Sequence, residues 1–391
     1  MYLFHSGNRR IAYPIVCMLS ALFLSIYSFA QLPLPIMGPL DLLPISVATH
    51  SVQNSGNWSD PNTWNTGSVP NNLARIHIPT GKELIVDGEI AERIKIIRNE
   101  GKLKFLTTTN TALLVETIVQ GISGELEIGT ASSPVPAGTT AKITIIDEGD
   151  IVLNTDQWEK GLVLMGKTTI YGSSKTSWSE LAINPGIGAT SIELSTIPIG
   201  WNIGDRIVIT GTDINDPKSD EVVFIQSISG STITLDRPLV KDHSTPAPDL
   251  FVHAANLDRN VLIESEQSNN IMDRGHIMFM HTLNVDMNFA KVYRMGRSRK
   301  DVPIDDWIIN EMDQFTNGPR TNIRGRYSIH FHRGGVNQNL SPAYVRGCVV
   351  EDDPGWAYTN HSAFVHFDNN VSYDVVGGGF QTEAGDEIGS F

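Results

Sequence analysis

The sequence predicts an all-β protein whose C-terminal part is a parallel β-helix, and three observations carry that prediction. First, Ile, Val and Thr recur in short runs, and 34 glycines and 20 prolines punctuate the chain, which is the punctuation of many strands and turns. Second, no stretch after residue 31 sustains a helical period, and none is long and apolar enough to span a bilayer. Third, the C-terminal region repeats itself: Gly347-Cys348-Val349-Val350-Glu351 recurs as Asn370-Val371-Ser372-Tyr373-Asp374 at an offset of 23 residues. A coil of that length, with short strands and turns, suits stacked parallel strands about 4.8 Å apart.

The first thirty residues stand apart. Arg9 and Arg10 precede an apolar run from Ile11 to Phe29, and Ser28-Phe29-Ala30 before Gln31 offers small residues where a signal peptidase reads. This is the pattern of a secretory leader, 1–30, cleaved between Ala30 and Gln31; the alternative is a retained membrane anchor. Cleavage removes Arg9 and Arg10 and no acid, taking the formal charge from −14 to −16. So acidic a chain argues against nucleic acid as a partner and for solubility outside the cell. Cleavage also leaves Cys348 as the single cysteine, so no disulfide framework is available; among Val345, Val349 and Val350 it reads as a buried small hydrophobe.

Residues 31–55 read as a linker. From Asn57 a compact corner of two tryptophans, Trp58 and Trp64, surrounds an Asp-Pro-Asn turn and is followed by Gly67 and Val69-Pro70. Alternating runs follow at Arg75 to Pro79, Glu83 to Val86, Ile94 to Ile97 and Lys102 to Phe105, with turns at Gly81, Asp87-Gly88 and Asn99-Glu100-Gly101. Leu126-Glu127-Ile128-Gly129-Thr130, Pro134, Pro136 and Ala141 to Ile145 complete the order. The stretch 56–182 resembles the G8 domain, an extracellular β module; Asn71-Asn72 stands where that family often has glycine. Residues 183–245 form a second set of evenly spaced strands, expected to be a small antiparallel unit with a structural role. Trp201, at a strand start without a polar cluster, reads as structural more readily than as a sugar platform.

The parallel β-helix is expected over 246–391, and its densest stretch is Arg324 to Arg333. Strand alternation puts His330 and His332 on one face and Ile329, Phe331 and Arg333 on the other. At an offset of 23, Asn360 and Glu383 share a column, with His361 and Asp386 near the same rim. Residues 290–335 hold nine Lys or Arg against five acids, a local positive surface suited to an anionic ligand.

Gly325-Arg326-Tyr327-Ser328-Ile329-His330-Phe331-His332 and Gly379-Phe380-Gln381-Thr382-Glu383-Ala384-Gly385-Asp386-Glu387 resemble two signatures of one family. It contains the cell-migration-inducing hyaluronidase, transmembrane protein 2 and fibrocystin-L. The resemblance covers nearly all of 56–391, departing at Arg333, Val336 and Asn360-His361-Ser362. It implies a G8 domain joined to a right-handed β-helix, hyaluronan binding or depolymerisation, and calcium. The expected ligand is an anionic polysaccharide, and the rival class is a non-catalytic carbohydrate-binding or adhesion protein.

Two chemistries fit such a ligand. A hydrolase needs paired carboxylates, for which Glu383 with Asp386 or Glu387 are the candidates. A lyase needs a cation or metal on the uronate and a base, for which Arg326 with His330 or His332 would serve. Arg324, Arg333, Asn360 and His361 are the expected substrate contacts. Calcium would take the oxygens of Glu383, Asp386 and Glu387, whereas the His-x-His pair suits a transition metal. The plainer readings are packed ladder histidines, acids that satisfy turn amides, and a solvated arginine face. The chain stops eight residues after Glu383 without a polar capping coil, so the solenoid is expected to continue.

Overall fold

The computed structural model describes residues 38–151, 156–266 and 270–390. The expected leader and its cleavage point lie outside the described residues. No helix among the described residues is long and apolar enough to cross a membrane.

Parallel pairing organises the chain into ladders that run its whole described length. One ladder passes from His50–Ser51 through Arg75–Ile78, Glu89–Asn99, Thr111–Gln120, Gly161–Leu164, Ile277–Met280, Ile329–Gly335 and Tyr358–Asp368 to Phe380–Thr382. A second runs from Gly56–Asn57 through Glu83–Val86, Lys102–Phe105, Glu125–Ile128, Lys167–Tyr171, Val285–Asn288, Ala343–Arg346 and the later part of Tyr358–Asp368 to Ile388–Ser390. A third joins Ala141–Ile145, Val261–Ser265, Ala290–Tyr293, Val349–Asp353 and Val371–Val375. Successive coils therefore lie strand on strand, which is a parallel β-helix. Its interior is a continuous column of Ile, Val, Leu and Phe, and Phe279 packs on Phe331 at 4.8 Å between ring centres. Backbone groups pair across coils while alternate side chains fill the core, so each coil satisfies its neighbour's polar edges.

The sequence places the start of the helix at 246, but its rungs begin at His50. The stretch 56–182 supplies the N-terminal coils of the same stack and shares its core. What separates the halves is an insertion between coils. Trp178–Glu180, Ser191–Glu193, Arg206–Ile209, Glu221–Ser229, Thr232–Leu235 and His253–Asn256 form a six-stranded antiparallel sheet with its own core. The unit thus extends beyond 183–245 at both ends. Trp201 lies in that core and donates its indole N–H to the Thr176 carbonyl at 2.7 Å, a structural role. Cys348 is fully buried in the main core.

Register is where sequence and structure part. The ladder pairs Tyr358 with Phe380, Thr359 with Gln381 and Asn360 with Thr382, and Val349 with Val371. The true offset is 22, not 23. The residue pairs matched at 23 were similar in type, but in a strand a slip of one residue turns every side chain to the opposite face. Continued by one residue, the ladder sets His361, rather than Asn360, over Glu383; the Glu383 amide donates to the Asn360 carbonyl at 3.0 Å.

Candidate functional site

Three consecutive coils converge on one spot. Ile329–Gly335 carries His330 and His332, with Ile329 and Phe331 in the core as alternation requires. Tyr358–Asp368 pairs His361 directly with His332, and the coil after it brings Glu383 beneath His361. One ring nitrogen from each of His330, His332 and His361 lies within 4.8 Å of the others. Glu383 Oε2 is 3.4 Å from His330 Nε2 and 3.5 Å from His361 Nδ1.

The chain before the strand sets the first ring. Gly325 has φ +84° and turns its carbonyl to His330 Nδ1 at 2.9 Å, and a Cβ there would meet the imidazole at 3.3 Å. Because a carbonyl only accepts, Nδ1 carries a proton, and this contact turns Nε2 toward Glu383. That ring is 1% exposed. Burial, with His330 and His361 alongside, pushes the His332 imidazole down to about 3, so it is neutral across the physiological range. Burial also lowers His361, against the pull of Glu383. Burial would raise the Glu383 carboxyl, but the His330 contact and the charges of His361 and Lys300 outweigh it and hold the group below its ordinary value.

A cationic and aromatic flank borders Glu383. Tyr327 donates its hydroxyl to Glu383 Oε1 at 3.4 Å, and Lys300 donates to the Tyr327 oxygen at 3.1 Å. The same ammonium sits 3.4 Å over the Trp356 ring, a cation–π contact between two half-buried side chains. Sequence reasoning missed Lys300 and Trp356. They are brought to Glu383 by coil stacking, from positions 83 and 27 residues upstream of it, and no local pattern marks them.

Several expected site residues have other duties. Arg326 is buried: its guanidinium donates to the main-chain oxygens of Gln157, at 3.0 Å, and of Asp156, and stacks 4.6 Å from Trp158. Arg297 clasps the same segment through the carbonyls of Gln157, Glu159 and Lys160. Burial pushes Arg326 down to about 10 and Arg297 to about 9. Neither can neutralise a ligand in a groove, so part of the expected positive surface is internal. Asn360 is buried too, its carboxamide closing onto the main chain of Ala363 at 3.1 and 3.2 Å. Arg324 is exposed but forked onto the buried Asp306 at 2.8 and 3.0 Å. Arg333 is exposed beside His332.

Calcium does not fit the acids expected to hold it. Glu387 is occupied by the amides of Ser362, Glu383, Ala384 and Gly385, Asp386 is exposed in the bend, and Glu383 faces the imidazoles. Among the described residues the three do not form a ligand cluster.

Fold and site together define a parallel β-helix protein with a His-and-Glu cluster built across three coils. The G8 domain matches residues 63–182 and the CEMIP beta-helix matches residues 306–391, so the chain joins a G8 domain to a beta-helix of that type. Relatives include Communication mutant protein F of Dictyostelium discoideum, 26% identical over 352 residues, covering 85% of this chain and 28% of that one. Human fibrocystin-L is 26% identical over 366 residues, covering 85% of this chain and 8% of its own length. The chain thus spans under a third of the curated relatives it matches. Among solved structures, a tailspike of an Acinetobacter baumannii bacteriophage, in complex with a capsular saccharide, covers 82% of this chain and 46% of its own. It is 12% identical at a TM-score of 0.22, a likeness too distant to bear on the site.

Proposed function

We propose that the protein is exported and binds an extracellular anionic polysaccharide, of the uronate-containing, hyaluronan-like class, across the coils that carry His330, His332, His361 and Glu383. The observation that carries this reading is the flank: Lys300 against Trp356 and Tyr327, with the exposed Arg333 on the strand beside His332, in a chain of net charge −14. Cations set among aromatic rings suit a chain of carboxylated sugars, which offers apolar ring faces and spaced negative charges. Stacked coils also present such groups at a regular spacing along the solenoid.

Cleavage is a second reading, and one observation favours elimination over hydrolysis. Glu387 is committed to turn amides, so the opposed carboxylates of a hydrolase lack that partner for Glu383. In an elimination a base takes the proton α to the uronate carboxylate, the C4–O bond breaks with its electron pair leaving on oxygen, that oxygen is protonated, and a C4=C5 double bond remains.

The test is incubation of the purified protein with a panel of glycosaminoglycans and alginate, followed by retention and size analysis. Retention without shortening supports binding alone, and unsaturated ultraviolet-absorbing ends support elimination. New reducing ends without that absorbance would replace the elimination reading by hydrolysis, and neither retention nor cleavage would refute the proposal. N-terminal sequencing of secreted protein should begin at Gln31; retention in the membrane fraction would favour the anchor.

A further inference from the structure

We propose that His330, His332, His361 and Glu383 form a mononuclear site for a divalent first-row transition metal of the zinc class. Geometry carries it. Bonds of about 2.0–2.1 Å from a tetrahedral ion to nitrogen and oxygen place neighbouring ligand atoms roughly 3.3 Å apart. The contacts of Glu383 Oε2 with His330 Nε2 at 3.4 Å and His361 Nδ1 at 3.5 Å have that spacing. A ring nitrogen of His332 lies within 4.8 Å of those of the other two histidines.

Unmet bonding capacity is the second observation. His330 Nε2, His332 Nδ1 and Glu383 Oε2 are all buried, and none has a hydrogen-bond partner. Three such atoms in one place are costly if left unmet, so a packed ladder of histidines is a poor account of them. A cation shared by the lone pairs removes that cost.

The surroundings orient the ligands as outer contacts do in metal sites. His330 Nδ1–H is held by the Gly325 carbonyl, which directs Nε2 to the cluster, and Glu383 keeps its other oxygen on the Tyr327 hydroxyl. The ligand set is three imidazoles and one carboxylate, which suits zinc-class ions over calcium, whose preference is for six to eight oxygens. His332 and His361 are only half-buried, so a bound ion would be open to water or to a ligand's carboxylate on that side.

Metal uptake is read without any polysaccharide, so it stands or falls separately from the glycan reading. The purified full chain, stripped with a chelator, is titrated with Zn2+ by calorimetry and with Co2+ by absorption spectroscopy, and its metal content is measured after dialysis. About one ion per chain is expected, with intense visible Co2+ bands of a low-coordinate site. His332→Ala and Glu383→Gln should each weaken Zn2+ binding at least tenfold, with His361→Ala as a second imidazole probe. Stripped variants should keep the wild-type circular dichroism, since His332 and His361 lie outside the apolar core. No stoichiometric uptake by the wild type, or uptake unchanged in His332→Ala and Glu383→Gln, would overturn the proposal.

Discussion

Arg326→Ala separates a structural arginine from a ligand-binding one. The side chain makes two charge-assisted hydrogen bonds to the Asp156 and Gln157 carbonyls and lies on Trp158. At about 1.5–3 kcal/mol for each bond and about 1–2 for a desolvated cation–π contact, the gross loss is roughly 4–8 kcal/mol. Relief of burying a second guanidinium near Arg297 returns part of this, because burial depresses both groups and the Arg326 charge depresses Arg297 further. A net destabilisation of about 3 kcal/mol follows. Urea unfolding followed by tryptophan fluorescence should show a lower midpoint, and amide hydrogen exchange should show weakened protection over 156–160. Arg326→Lys should recover little, since an ammonium cannot span both carbonyls with the same fork. A variant of unchanged stability that had lost polysaccharide retention would refute the structural assignment and restore the residue to the groove.

Two further outcomes follow from the same region. Gly325→Ala places a Cβ at φ +84°, 3.3 Å from the His330 ring, and should cost about 1–2 kcal/mol in backbone strain while displacing that imidazole; calorimetric unfolding and Zn2+ titration should both register the change. Asp353 is buried, accepts the Ser328 and Gly355 amides, and is pushed up to about 7 by burial. Its folded value exceeds its unfolded one, so its proton stabilises the native state below about pH 4 and that contribution fades as pH rises to 7. The stability of the wild type relative to Asp353→Asn should therefore fall by about 3–4 kcal/mol across that window, and a flat difference in urea midpoints would contradict the assignment.

Much of the architecture was legible because it is local. Strand alternation alone predicted that Ile329 and Phe331 enter the core and that His330 and His332 share the other face, and burial agrees. Repetition in the last coils signalled stacking. The N-terminal coils were harder to read, because a short strand followed by a turn has the same text whether it pairs antiparallel with its neighbour or parallel with the next coil. The insertion between Tyr171 and Val261 further hid the continuity of the ladders on either side.

The site shows the division most clearly. The sequence by itself determined which side chains were available and, through alternation, which of them share a strand face. Only the tertiary structure decided which met. A register of 22 rather than 23 exchanged Asn360 for His361 above Glu383, and packing removed Arg326 to the interior while bringing Lys300 and Trp356 to the rim. The physical reason is that face follows from backbone geometry within a strand, whereas register and partner depend on contacts between coils that lie far apart in the chain.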